Sequence, residues 1–239
     1  MTRDFDQLWV YLSANPLLHL TLTLVAFHIG MFIYRRAGLN PLLNPVMIAV
    51  GLVVAVLTMT GTTYQSYFEG AQFVHFLLGP ATVALAIPLY RQIEKIRQSG
   101  FAILVSIIAG SATASASAVA IAWVLGGTNE ALVSLATKSV TAPVAMGISE
   151  QLGGLPSLTA VLVIITGILG ASLGPYLLDL LRIKSWAARG LAIGTASHGI
   201  GTARAIQVNE VAGAFSGLAM GLNALATAIL LPIAWYWFF

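Results

Sequence analysis

Along this chain, long apolar runs alternate with short polar interruptions. Residues 17–34, 42–60, 71–90, 101–125, 155–178 and 211–239 are each apolar over roughly the 20 residues that a helix needs to cross the hydrocarbon core of a bilayer. The interruptions are abrupt. Asn40-Pro41 predicts a turn after the first run, and Gly61-Thr62-Thr63 closes the second ahead of a polar, acidic loop through Glu69. Two further runs, 131–150 and 190–209, are weaker and more polar. One contains Lys138 and Pro143, and the other sets His198 and Arg204 among glycines and hydroxyls.

Basic residues decide how such a chain is threaded. They collect at Arg35-Arg36, at Arg91, Lys95 and Arg97, and at Arg182, Lys184 and Arg189, and the positive-inside rule places all three clusters in the cytoplasm. Simple alternation accommodates the first two. The third requires that one intervening run does not cross, and Lys138 with Pro143 makes 131–150 that run. We therefore expect a re-entrant hairpin at 131–150 and a second dip, entering from the cytoplasmic side, at 190–209. The reading is a single all-α polytopic membrane domain over residues 1–239, with about six crossing helices and two re-entrant or broken segments. Eight crossings, with the third basic cluster outside, is the alternative. The first run is expected to be a retained span, because no small-residue cleavage site follows it.

Composition agrees. Of 239 residues, 58% are hydrophobic and 8% charged, against about 25% charged in a soluble domain. The formal charge of +3 comes with no basic stripe or aromatic platform, so it reads as loop charge and not as affinity for nucleic acid. With no cysteine, disulfides and thiolate-held metals are excluded. Four scattered histidines make no metal site, and the absence of a Walker loop, a zinc-protease histidine pair and a Gly-x-Ser-x-Gly elbow leaves no enzyme signature and no cofactor. Gly213, Gly217 and Gly221 repeat at four-residue spacing, as do Gly110, Ala114 and Ala118, which predicts close helix packing within one bundle or a dimer seam. His19, near a span end, is expected at the interface.

Candidate chemistry concentrates in the two weak runs. A charge at membrane depth costs at least about 2.5–3.5 kcal/mol, so Lys138 and Arg204 need partners, water or an anion. Gly79-Pro80, Ala142-Pro143 and Gly201-Thr202 each read as a helix start, with proline or a hydroxyl at the cap, and helix starts attract anions. His198 is placed to bind an anion, carry a proton or simply pack. Residues 80–87 and 141–148 are faintly alike, each with a proline breaking an apolar run. Paired broken segments of this kind mark secondary transporters, although a likeness so short also arises by chance.

The stretches His75–Leu89 (HFLLGPATVALAIPL), Lys138–Glu150 (KSVTAPVAMGISE) and Gly194–Ala205 (GTASHGIGTARA) together resemble the LrgB/CidB family, and residues 155–171 and 213–223 match as well. The resemblance implies a multi-pass protein of the bacterial cytoplasmic membrane, acting beside a smaller LrgA/CidA-like partner. It also implies a divided function. Family members are known as holin-like or antiholin-like modulators of murein hydrolase activity and autolysis, and others as carriers of glycolate, glycerate or pyruvate. The residue chemistry favours a carrier of small carboxylate anions, with the modulator as the alternative, and the oligomer is expected to be a dimer. Candidate substrate-binding residues are Pro80, Thr82, Lys138, Ser139, Thr141, Pro143, Ser197, His198, Thr202, Arg204 and Asn223.

Overall fold

The computed structural model describes residues 16–77, 80, 83–84 and 86–238, and these contain helices and turns and no strand. The chain packs as two compact units, Met1–Ala84 and Leu85–Phe239.

The first unit contains α1 (Pro16–Arg36), α2 (Pro45–Thr60) and α3 (Tyr64–Phe76). Arg35 and Arg36 close α1, where cations suit the negative end of the helix dipole, and the Arg36 guanidinium lies 4.9 Å from the centre of the Phe32 ring. Gly38 and Leu39 then turn the chain at positive φ. Asn44 accepts the Val46 amide at 2.8 Å, and Pro45 opens α2 at a position that needs no amide donor. α1 meets α2 at Gly30, where a Cβ would lie 2.6 Å from the Pro45 carbonyl oxygen. The expected acidic loop is a helix instead: Glu69 lies within α3, which is tied to α1 by a 2.8 Å hydrogen bond between Tyr67 and Thr23. His19, in the first turn of α1, is buried against the edge of Tyr67, with ring centroids 5.8 Å apart.

The second unit begins with two short helices, α4 (Ala86–Arg91) and α5 (Ile93–Gln98). It continues through α6 (Gly100–Val124), α7 (Asn129–Ala136), α8 (Ala142–Gln151), α9 (Pro156–Leu180), α10 (Trp186–Val208) and α11 (Glu210–Phe238). Among the described residues, five segments are long and apolar enough to cross a membrane: Leu17–Arg36, Pro41–Thr60, Gly100–Val124, Pro156–Leu180 and Glu210–Trp237. The sixth expected crossing, 71–90, falls partly outside the described residues.

Both weak runs fold back on themselves. α7 and α8 have 8 and 10 residues, about 12 and 15 Å of helix, too short to cross. The Ser115 hydroxyl of α6 donates to the Ala136 carbonyl at the inner end of α7. The chain then returns, so that the Leu155 amide donates to Ser134 at 3.0 Å and Thr159 bonds Ser149 at 2.7 Å. Residues 129–155 are thus a hairpin whose base sits at the N-terminal end of α9.

α10 reverses at a single residue, His198, with φ 41° and ψ −133°. Its first limb ascends along α11, with Gly190 against Ala212 and Gly194 against Ser216. Its second limb descends, with Thr202 bonded to Ser216 at 2.9 Å and Ile206 against Gly213. The base of this second hairpin is fixed at the C-terminal end of α9, where Arg189 pairs with Asp179 at 2.6 Å and also reaches the Ile183 carbonyl. With 25 residues, α9 is about 37 Å long, so the two hairpins start from opposite ends of a membrane-length helix. These reversals fit two dips and not eight crossings.

Candidate functional site

The hairpin tips meet in the first half of α9, between Val163 and Gly167. Val140, at the tip of the first, packs with Ala145 of α8 and Val163 of α9. The tip of the second comes to the same place, because the His198 ring Nε2 lies 2.9 Å from the Val163 carbonyl. A carbonyl can only accept, so this nitrogen carries the proton and donates. α9 admits the second hairpin through small residues: a Cβ at Gly167 would lie 2.7 Å from the His198 ring, one at Gly170 would strike the Ser197 hydroxyl, and one at Gly174 would lie 2.7 Å from Ile193.

Asn223 of α11 joins the tips. Its side-chain amide nitrogen donates at 3.1 Å to the Ser139 carbonyl in the first hairpin and at 3.1 Å to the Thr195 carbonyl in the second. Around this point the structure collects buried polar groups, which lipid alone would not tolerate. Ser139 is 5% exposed, Thr202 2%, Asn223 1% and Ser197 0%. The Ser197 hydroxyl and the Asn223 carbonyl oxygen have no hydrogen-bond partner among the described residues. Lys138 is half-buried, and its ammonium donates to the Ser139 hydroxyl at 3.2 Å.

The predicted helix starts fare differently. α8 begins at Ala142 with Thr141 in the cap position and Pro143 in the first turn, as the sequence predicts, although the Thr141 hydroxyl makes no capping bond. Pro143 is exposed on the outer side of that turn. Thr202 is not a cap. It lies inside the second limb and donates back to the His198 carbonyl at 2.8 Å, because the helix restarts at the reversal four residues earlier. Arg204 therefore lies beyond the first turn, half-buried, about 9 Å of helix rise from His198. At that distance the dipole of the helix start acts on it little, since the effect falls off within the first turn.

Lys138, Ser139, Ser197, His198 and Asn223 are brought to the meeting point, and Thr202 stands one turn behind it. Pro80 is helical and exposed in the first unit, and Thr82 lies outside the described residues. Sequence reading missed Val163, Thr195 and Ser216, and it missed the pair Ser111 and Thr227, whose hydroxyls are 3.1 Å apart between α6 and α11. Of the glycines it chose, Gly213 lies against the Ile206 backbone and Gly110 against the Thr195 side chain, but others matter as much. Gly221 faces open space, whereas Gly190, Gly194 and the column 167, 170, 174 carry the close contacts, a spacing of three and four that was visible in the sequence.

A family profile described as the LrgB-like family matches residues 23–237. The chain belongs to that family. Within the LrgB-like family it is 38% identical over 218 residues to the uncharacterized protein YxaC of Bacillus subtilis, covering 91% of this chain and 94% of the relative. It is 34% identical to the holin-like protein CidB of Staphylococcus epidermidis over 93% of this chain and 96% of the relative. The antiholin-like protein LrgB of Bacillus mycoides is 31% identical over 92% of this chain and 96% of its own length. No solved structure matches significantly. This LrgB-like chain is a multi-pass helical membrane protein whose two broken segments meet in a polar centre.

Proposed function

We propose that this chain is a secondary carrier of small carboxylate anions such as glycolate, glycerate or pyruvate across the bacterial cytoplasmic membrane. In this reading it works beside an LrgA/CidA-like partner and as a homodimer. The observation that supports the reading is the pair of hairpins, based at opposite ends of α9 and with tips that share Asn223 and Val163. Such a device lets a central site open to one side when one hairpin moves and to the other when its counterpart moves, which is what alternating access requires. Lys138 supplies positive charge at the tip, and the start of α8 adds amide donors and a dipole end. Ser139, Ser197, His198, Thr202 and Asn223 supply hydrogen-bonding groups, while Thr141 and Pro143 shape the α8 start. Arg204, on the second limb, adds a second cation and a fork that can grip both oxygens of a carboxylate. Pro80 and Thr82 remain candidates from the sequence motif alone.

The names of the relatives favour a second, non-enzymatic reading, a holin-like or antiholin-like modulator of murein hydrolase activity and autolysis. The two readings separate in proteoliposomes containing the purified chain with and without its partner. A carrier exchanges labelled carboxylate and retains an uncharged dye of similar size, whereas a holin-like lesion passes both. Arg204→Gln and Lys138→Gln are expected to lower carboxylate exchange per folded molecule by about ten- to a hundred-fold, the worth of one charge-assisted hydrogen bond. Arg204→Lys keeps the charge, loses the fork and falls between. Equal exchange in Arg204→Gln and wild type removes Arg204 from the site, and equal passage of dye and carboxylate removes the carrier.

A further inference from the structure

We propose that the point where the hairpin tips meet binds a monovalent cation of the size of sodium, held by the backbone carbonyls of Ser139 and Thr195 and the side-chain oxygen of Asn223. The two carbonyls belong to different hairpins, yet each lies 3.1 Å from the same Asn223 nitrogen. Neither can be satisfied by an ordinary helix ladder. Ser139 lies in the non-helical link between α7 and α8, and Thr195 lies in the last turn of a limb that reverses at His198. Carbonyls at the end of a half-helix carry partial negative charge, and unwound segments in carriers present such groups to cations.

A second observation points the same way. The Asn223 side-chain oxygen is buried, with its residue only 1% exposed, and has no partner among the described residues. A buried acceptor without a donor is unfavourable and calls for a bound species that completes it. In the orientation that donates to both carbonyls this oxygen faces away from them; a half rotation of the amide brings it to the nitrogen's place, so that three oxygens face one point. They repel one another unless a cation lies between them. Asn223 thus has two uses for one position: as a donor it ties the tips together, and as an acceptor it ties them through the ion.

The chemistry of the donors selects the cation. All three are hard, uncharged oxygens, and among the described residues no group of three His, Asp or Glu could hold a metal, which disfavours divalent and transition ions. The Lys138 ammonium sits on the neighbouring Ser139 hydroxyl. Two cations so close repel, and an anion between them relieves the repulsion, so cation and carboxylate should load together. This coupling rests on the carrier reading, while the cation site stands without it.

The test is thermal unfolding of the purified full-length chain in detergent, with choline chloride replaced stepwise by sodium chloride at constant ionic strength. A saturable rise of the midpoint in sodium and none in choline is expected. Asn223→Ala should raise the half-saturating concentration at least tenfold, while Asn223→Asp, which keeps an oxygen and adds charge, should keep the response. Equal midpoints in sodium and choline, an Asn223→Ala response like wild type, or a folded Asn223→Asp that ignores sodium would each overturn the site. If Asn223→Ala does not fold, the wild-type series and Asn223→Asp decide. Undiminished carboxylate exchange without any sodium response rejects the cation site and leaves the carrier; a sodium response without exchange does the reverse.

Discussion

The two hairpins reach one centre by different physical means. The first turns over a link, residues 137–141, in which no residue takes a positive φ, and hydroxyls hold it: Ser115 on Ala136, Ser134 on Leu155, and Thr159 on Ser149. The second turns at His198 alone, in a backbone region that side chains disfavour, and backbone-to-backbone approach through glycine holds it. Strain in the second hairpin is concentrated at a single residue, whereas the link of the first has no residue at positive φ. That unstrained link carries Lys138, and the strained reversal fixes the His198 ring on Val163.

The sharpest way to break this contrast is to add side chains at glycines in both. Gly194→Leu drives a Cβ into the Ser216 backbone, which cannot yield, and is expected to cost about 3 kcal/mol or more and to leave little folded protein in detergent. Gly147→Ala, in α8, meets open space and should be neutral or stabilising by up to about 1 kcal/mol, because glycine inside a helix is entropically costly. Similar losses in both variants would show that the hairpins are packed alike.

A smaller effect concerns the reversal itself. His198→Ala loses the bond to Val163 and keeps the strained backbone, whereas His198→Gly loses the same bond and relieves the strain. The glycine variant should therefore be more stable by about 1–2 kcal/mol, read from unfolding midpoints in detergent. Equal midpoints would mean that the positive φ costs nothing.

The mildest perturbation tests direction only. Because the chain has no cysteine, Thr128→Cys and Ser185→Cys each place a single thiol at a hairpin base. An impermeant thiol reagent should label Thr128→Cys only from outside and Ser185→Cys only from the cytoplasm, with no effect on fold. Labelling of both from one side would end the opposed arrangement.

Much of this architecture is legible without coordinates. Apolar run length locates α6, α9 and α11; the basic clusters ask that one run turn back, and Lys138 with Pro143 single out 131–150, which the Ser134 to Leu155 bond bears out. The Ala142-Pro143 helix start is legible too, since proline at the first turn is a local signal. The partner groups are not. Val163 acts through its backbone carbonyl, which leaves no mark on residue choice, and Thr195 likewise. The misplaced cap at Thr202 has a related cause: a hydroxyl that bonds back four residues inside a helix looks in sequence like one that starts it. The loop expected at Glu69 is a helix because packing against α1 outweighs a few polar residues.

Asn223 also bears on the order in which the protein is made. The first hairpin is too short to lodge as a span, and the broken backbone at its tip is costly in lipid until something bonds to it. The group that bonds to it belongs to α11, which leaves the ribosome some 80 residues later. During synthesis α6 and α9 can insert on hydrophobicity alone, while the residues between them have to wait at the membrane surface until the last helix arrives. Chains released at Asn209 should therefore leave a cysteine placed at Lys138 open to an impermeant thiol reagent from the side of the hairpin base, and chains that include α11 should protect it. Assembly of this centre is then a late event inside the bilayer, triggered by the arrival of α11.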